Sequence, residues 1–176
     1  SDRFAAADSL RRLVERARKA RTSALSLARS AGWQDNRLAF SLFAVGRLLT
    51  SSDPARAQEA FAGASAVYAS LPGGALQLAH VDMQVAVMAL AGGLPEEAAR
   101  LADRAIPVVR SYDNAALLAT LMLIKAEAME ALGDPEKAQA LRMDSGPYAR
   151  YGFGSESMVR SRMRDIATVA DRAAKG

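Results

Sequence analysis

A chain with one histidine and no cysteine has few routes to catalysis. His80 stands among Leu78, Val81 and Met83. A lone imidazole in that company reads as an inner-helix or groove-facing residue rather than a general base. The absence of cysteine removes disulfides, thiolate metal sites and a thiol nucleophile. With a single histidine, a transition-metal site would need several carboxylates, and none converge at ligand spacing. Glu127 and Glu130 are near neighbours in sequence and share a helix face. Acid–base work would require burial to separate their pKa values, and beside Lys125 they read as solvated charge. No phosphate-binding loop or dinucleotide glycine pattern occurs, and Gly152-Phe153-Gly154 lacks the strand context of a nucleotide loop. The expectation is a non-enzyme with no metal and no cofactor.

What remains is contact chemistry. Tyr148-Ala149-Arg150-Tyr151-Gly152-Phe153-Gly154 places three aromatics and an arginine in a glycine-punctuated stretch, read as a loop after a helix ending near Met143. Tyrosine and arginine are typical hot-spot residues at interfaces. Tyr148, Arg150, Tyr151 and Phe153 are therefore candidate partner contacts, the alternative being that the aromatics plug the open end of the last helical pair. Tyrosines also stack single-stranded nucleic acid, but the charge distribution argues against it. The net charge is +4, with eight Lys/Arg against three Asp/Glu in residues 1–30, nine against thirteen in 31–145, and six against three in 146–176. A mildly acidic array between two basic ends is not the profile of a nucleic-acid binder.

The elements that would position these residues are helices. Alanine dominates a composition that is 51% hydrophobic and 6% aromatic, which favours close helix packing. The length fits one domain. No uncharged apolar stretch is long enough to span a membrane. The chain begins at Ser1 with no methionine; a processed or trimmed N-terminus is expected, leaving cytoplasm and bacterial periplasm both open as compartments.

Three stretches set the register: Asp53-Pro54-Ala55-Arg56-Ala57, Leu94-Pro95-Glu96-Glu97-Ala98 and Asp134-Pro135-Glu136-Lys137-Ala138. Their prolines recur with a period of roughly forty, a spacing found in repeat proteins. Asp53 and Asp134 are expected to cap helices that begin at proline. The resulting layout has a basic helix over 1–31, closed by Gly32, with Trp33 placed to cover the end of the core. Three helical hairpins follow over 36–145, with turns near 50–53, 91–94 and 132–134. Residues 146–176 supply the aromatic loop and a capping helix from Ser155 to about Ala174. Pro107 is expected to kink or shorten its helix.

The junction Ala126-Glu127-Ala128-Met129-Glu130-Ala131-Leu132-Gly133-Asp134-Pro135-Glu136-Lys137-Ala138 resembles that of tetratricopeptide (TPR) repeats, as does Leu90-Ala91-Gly92-Gly93-Leu94-Pro95-Glu96-Glu97-Ala98. Ser51-Ser52-Asp53-Pro54-Ala55-Arg56-Ala57 matches more weakly. The likeness covers roughly 36–145, with a period near forty against the family's usual ~34. It implies an all-α, TPR-like right-handed solenoid of antiparallel hairpins with extra terminal helices. The implied role is a protein–protein interaction scaffold, binding a peptide, helix or subunit on a concave face. That face would carry Ala39, Leu42, Phe43, His80, Met83, Gln84, Val87, Thr120, Leu123, Ile124 and Glu127. It lacks the basic and asparagine residues with which such domains clamp a carboxylate terminus, so an apolar or amphipathic segment is expected there, a second copy of this chain included. Two alternatives stay open: that these residues are core, and that the chain is a regulatory or sensor domain of a larger regulator.

Overall fold

In the computed structural model, residues 36–154 are described throughout, together with Arg12, Glu15, Arg16, Lys19, Met158, Ser161, Arg164, Asp165, Ile166 and Thr168. The flanking residues named are helical. Gly32, Trp33, Ser155 and most of the two expected terminal helices lie outside the described residues. Six helices fill the span: α1 Asn36–Leu49, α2 Pro54–Ser70, α3 Ala75–Ala91, α4 Pro95–Ser111, α5 Ala115–Ala131 and α6 Pro135–Phe153. There is no strand among the described residues, so the chain is all-α. None of the described helices is long and apolar enough to cross a membrane.

From α3 onward the helices start at evenly spaced positions: Ala75, Pro95, Ala115 and Pro135. Helices α3, α4 and α5 are equally long, and each is followed by a short turn of the same length. The turns explain the regularity. Gly93, Asp113 and Gly133 occupy the same place in successive turns, with φ of 70°, 52° and 82°. At Gly133 the N–H donates to the Glu130 carbonyl at 3.1 Å and the Asp134 N–H reaches back to Met129 at 2.9 Å. At Gly93 the same two bonds run to Leu90 and Ala89 at 3.1 and 2.8 Å. This pattern satisfies carbonyls left open at a helix end and requires a left-handed residue. Next comes the N-cap. Asp53, Asn114 and Asp134 accept from the N–H groups of Arg56, Leu117 and Lys137, at 3.3, 3.1 and 3.0 Å. Proline opens α2, α4 and α6.

Asp113 is the exception, a residue with a Cβ where its counterparts have none. Its N–H bond to Arg110 stretches to 3.5 Å. The left-handed conformation costs a non-glycine residue about 1–2 kcal/mol, least for Asp and Asn. Glycine would relieve that but would loosen the unfolded chain by about 0.4–1 kcal/mol. Asp113→Gly is expected to raise stability by about 0.5 kcal/mol, read as a small upward shift of the urea midpoint at unchanged slope.

Two proline expectations are corrected. Pro107 neither ends nor shortens α4, which continues to Ser111, and α6 runs through Gly146-Pro147 to Phe153, so residues 144–153 are helix and not loop. Each proline removes one N–H and frees the carbonyl one turn earlier. Here Pro107 and Asp103, and likewise Pro147 and Met143, lie on the accessible side of their helices, where a freed carbonyl can be hydrated at little cost. Gly146, having no Cβ, also eases the clash that proline imposes on the residue before it. Gly154, with φ 74°, closes α6.

The chain divides into two compact units, residues 1–81 and 82–176. In the first, α1 packs on α2 around the fully buried Phe61. A Cβ on Gly46 would stand 2.7 Å from that ring, so the glycine is what lets the two helices meet there. In the second unit α5 packs against both α4 and α6, and every residue from Leu117 to Ile124 is buried. Alanines 98, 102, 105, 119, 126, 128, 138 and 149 fill the contacts, which small side chains make close.

Charges cross between these helices at regular offsets. Asp82 on α3 takes a two-pronged hydrogen bond from Arg104 on α4, at 2.9 and 2.5 Å. Asp103 on α4 pairs with Lys125 on α5. Arg142 on α6 spans Glu127 and Glu130 on α5, both at 2.9 Å.

Candidate functional site: a tyrosine-walled cleft in the second unit

The proposed concave residues fall into three groups. Met83, Thr120 and Ile124 are buried, as are Ala39, Leu42 and Leu123; the expectation that they line an accessible face is corrected. For Thr120, Leu123 and Ile124 the reason is α5's position between two helices, which covers the helix on all sides over this stretch. Thr120 is satisfied locally, its hydroxyl donating to the Ala116 carbonyl at 2.8 Å. Glu127 is engaged by Arg142, not offered to a partner. Gln84 and Val87 are half-buried.

Phe43 and His80 belong to the first unit. Phe43 is half-buried, its ring 5.9 Å from that of Phe61, with the Arg47 guanidinium 5.9 Å above its face. Burial, reinforced by Arg47, lowers the pKa of His80 below its usual value near 6.5. An imidazole depressed in the folded state leaves the unfolded chain to take up the proton first. The stability it contributes is therefore intact above pH 6.5 and lost as pH falls below that value. As the sole histidine, its ring resonance is unambiguous in a proton NMR titration. The expected midpoint lies below 6.5, and His80→Gln should flatten the stability profile between pH 7.5 and 5.5. A midpoint at or above 6.5 contradicts this.

The aromatic stretch is where side chains converge. Because 146–153 is helical, Pro147, Tyr148 and Tyr151 share one face of α6. They form a wall of a cleft of about 660 Å³. The opposite side comes from the end of α4, through Val109 and Arg110, and from the turn residues Asp113 and Asn114. Ala115 and Leu118 at the start of α5 complete the lining. A Cβ at Gly152 would overlap the backbone of Ala116, so this glycine sets how closely the end of α6 approaches α5.

Tyr151 is 85% exposed and Tyr148 38%. An aromatic that plugged the end of a hairpin would be covered, so that alternative does not describe Tyr151. Arg150 is exposed and Phe153 half-buried, and neither lines the cleft. Arg110, Asp113 and Asn114 are the contributions that sequence reasoning missed. The available signal was Asp113 itself, an aspartate in the turn position that Gly93 and Gly133 hold in the turns to either side.

The cleft joins apolar and polar surface. Its apolar lining is Val109, Ala115, Leu118 and Pro147, and its polar groups are two phenols, a guanidinium, a carboxylate and an amide. Among the described residues no three His, Cys, Asp or Glu side chains are grouped to hold a metal ion. Comparison with family models, curated proteins and solved structures returned no match, so the site is read from its own geometry.

Proposed function

We propose that this chain is a non-enzymatic interaction module on a TPR-like, right-handed helical array, and that it holds a protein or peptide partner in the cleft between α4, α5 and α6. The carrying observation is Tyr151, a large aromatic left 85% exposed beside an apolar-floored cleft. Aromatics placed so are the residues from which interfaces draw most of their binding energy. The even spacing of helix starts and the Gly-Asp-Pro turn support the array. Relative to the concave face expected from the resemblance, the proposed surface moves to the α4–α5 turn and the second half of α6.

One observation favours a second reading, a sensor domain holding a small ligand: the cleft volume lies within the range of about 300–1,000 Å³ typical of small-molecule pockets. A photo-crosslinking side chain placed at position 151 in cells separates the two. A discrete protein adduct, lost on Tyr148→Ala and absent when the probe sits at exposed Lys137, is the expected result. No adduct, or the same adducts from both positions, counts against a protein partner.

A further inference from the structure

We propose that the partner is a second copy of this chain, bound with α6 antiparallel to α6 about a two-fold axis that passes beside Pro147. This rests on the interaction reading above, with Tyr151 as the anchor, and names its partner. Tyr151 and Met143, at 85% and 69%, are the most exposed large apolar side chains among the described residues. Both lie on α6, with the exposed Pro147 midway between them. Ala140, Asp144 and Arg150 are exposed as well, and at these spacings all six fall on one side of a helix. The other side of α6 is occupied. Ala138, Ser145 and Ala149 are buried there, and Arg142 is held by Glu127 and Glu130. Asp144 and Arg150, by contrast, have no ion-pair partner among the described residues.

Arg110 and Asp113 at the cleft carry one charge of each sign and select no partner. The order of residues on α6 does. Counting outward from Pro147, Asp144 stands as far to one side as Arg150 to the other, and Met143 as far as Tyr151. In an antiparallel pair centred there, Met143 of each copy comes level with Tyr151 of the other, and Asp144 comes level with Arg150. The first match suits a thioether against an aromatic ring. The second brings opposite charges together, and symmetry makes each match twice. A parallel pair would set Asp144 against Asp144, and sliding one copy by a helical turn removes both matches. An unrelated partner has no need of such balance about a point, whereas a self-complementary interface requires it. From Ala140 to Tyr151 the face is about 17 Å long. A strip of one helix is smaller than the ~800 Å² per partner of a stable complex, so the expected dissociation constant is on the order of 100 µM.

Sedimentation equilibrium of the whole chain, taken up to about 1 mM, should show a reversible monomer–dimer equilibrium. Asp144→Arg and Arg150→Asp change exposed positions and should leave the circular dichroism spectrum as it was. Each alone should weaken the dimer at least about tenfold, because it sets like charges together twice. Mixing the two variants, or making both changes in one chain, should restore association. The chain has no cysteine, so a single introduced one reports the axis. Pro147→Cys should oxidise to a covalent dimer. Ala140→Cys should not, since its two copies would lie about 21 Å apart along the pair. A chain that stays monomeric, charge variants that associate like the parent, or Ala140→Cys crosslinking as readily as Pro147→Cys overturns the proposal. If a different protein is captured at position 151 while the purified chain stays monomeric, the interaction reading stands and self-pairing falls. A monomeric chain with no adduct at position 151 removes both.

Discussion

Ile124→Glu is expected to leave no folded protein at room temperature. Ile124 is fully buried on α5, a helix packed against both α4 and α6. Removing the isoleucine forfeits about 2–3 kcal/mol of apolar burial, and an unpaired carboxylate taken into that environment costs several kcal/mol more. The sum rivals the whole stability of an ordinary domain, about 5–15 kcal/mol. Circular dichroism and gel filtration of the variant should show loss of helix or aggregation. Val87→Glu, at a half-buried position on α3, should remain folded. A folded, monomeric Ile124→Glu protein would return α5 to the role of a groove-lining helix and overturn the core assignment.

Arg104→Met should destabilise the chain by about 3 kcal/mol. Asp82 is 2% exposed and its two carboxylate oxygens are both held by Arg104. Taking away one partner of a buried pair strands the other charge, which typically costs about 3–5 kcal/mol. The low end applies because the Arg104 side chain is itself 49% exposed, so water screens part of the attraction in the parent. The double variant Asp82→Asn, Arg104→Met should recover most of the loss, since the stranded charge is gone. Urea melts of the parent, both single variants and the double complete the cycle. Equal stability of Arg104→Met and the parent would show that Asp82 reaches solvent.

What the sequence disclosed follows the range of the forces involved. Caps and turns are local: Asp134-Pro135 announces a helix start because its hydrogen bond closes within the first turn. Local rules failed where the rest of the fold decided. Pro147 reads as a breaker in isolation, yet on α6 its missing hydrogen bond faces water and the helix continues. Periodicity failed on α5 for a different reason. A helix apolar all round has no stripe to say which side is covered, so Thr120 and Ile124 were assigned to a surface that does not exist. The interhelix ion pairs were invisible because Asp82 meets Arg104 only once the rotation of both helices is fixed. The tyrosines were noticed by composition; that they share a face with Pro147 required knowing that 146–153 is helical.

Evenly spaced helix starts at Ala75, Pro95, Ala115 and Pro135, joined by the same turn each time, make this part of the chain a string of interchangeable parts. Each short turn reverses the chain, so copying one helix with its turn would invert everything downstream. Copying two, such as 95–134, would return the chain to the same heading. The inserted piece would arrive with its own proline start and its own Gly133-Asp134 exit, and its ends would splice into turns of matching geometry. Growth or loss by unequal recombination is thereby restricted to pairs of helices. In such lengthened or shortened descendants Asp113 would serve as a tag, marking which turn descends from the one beside the cleft.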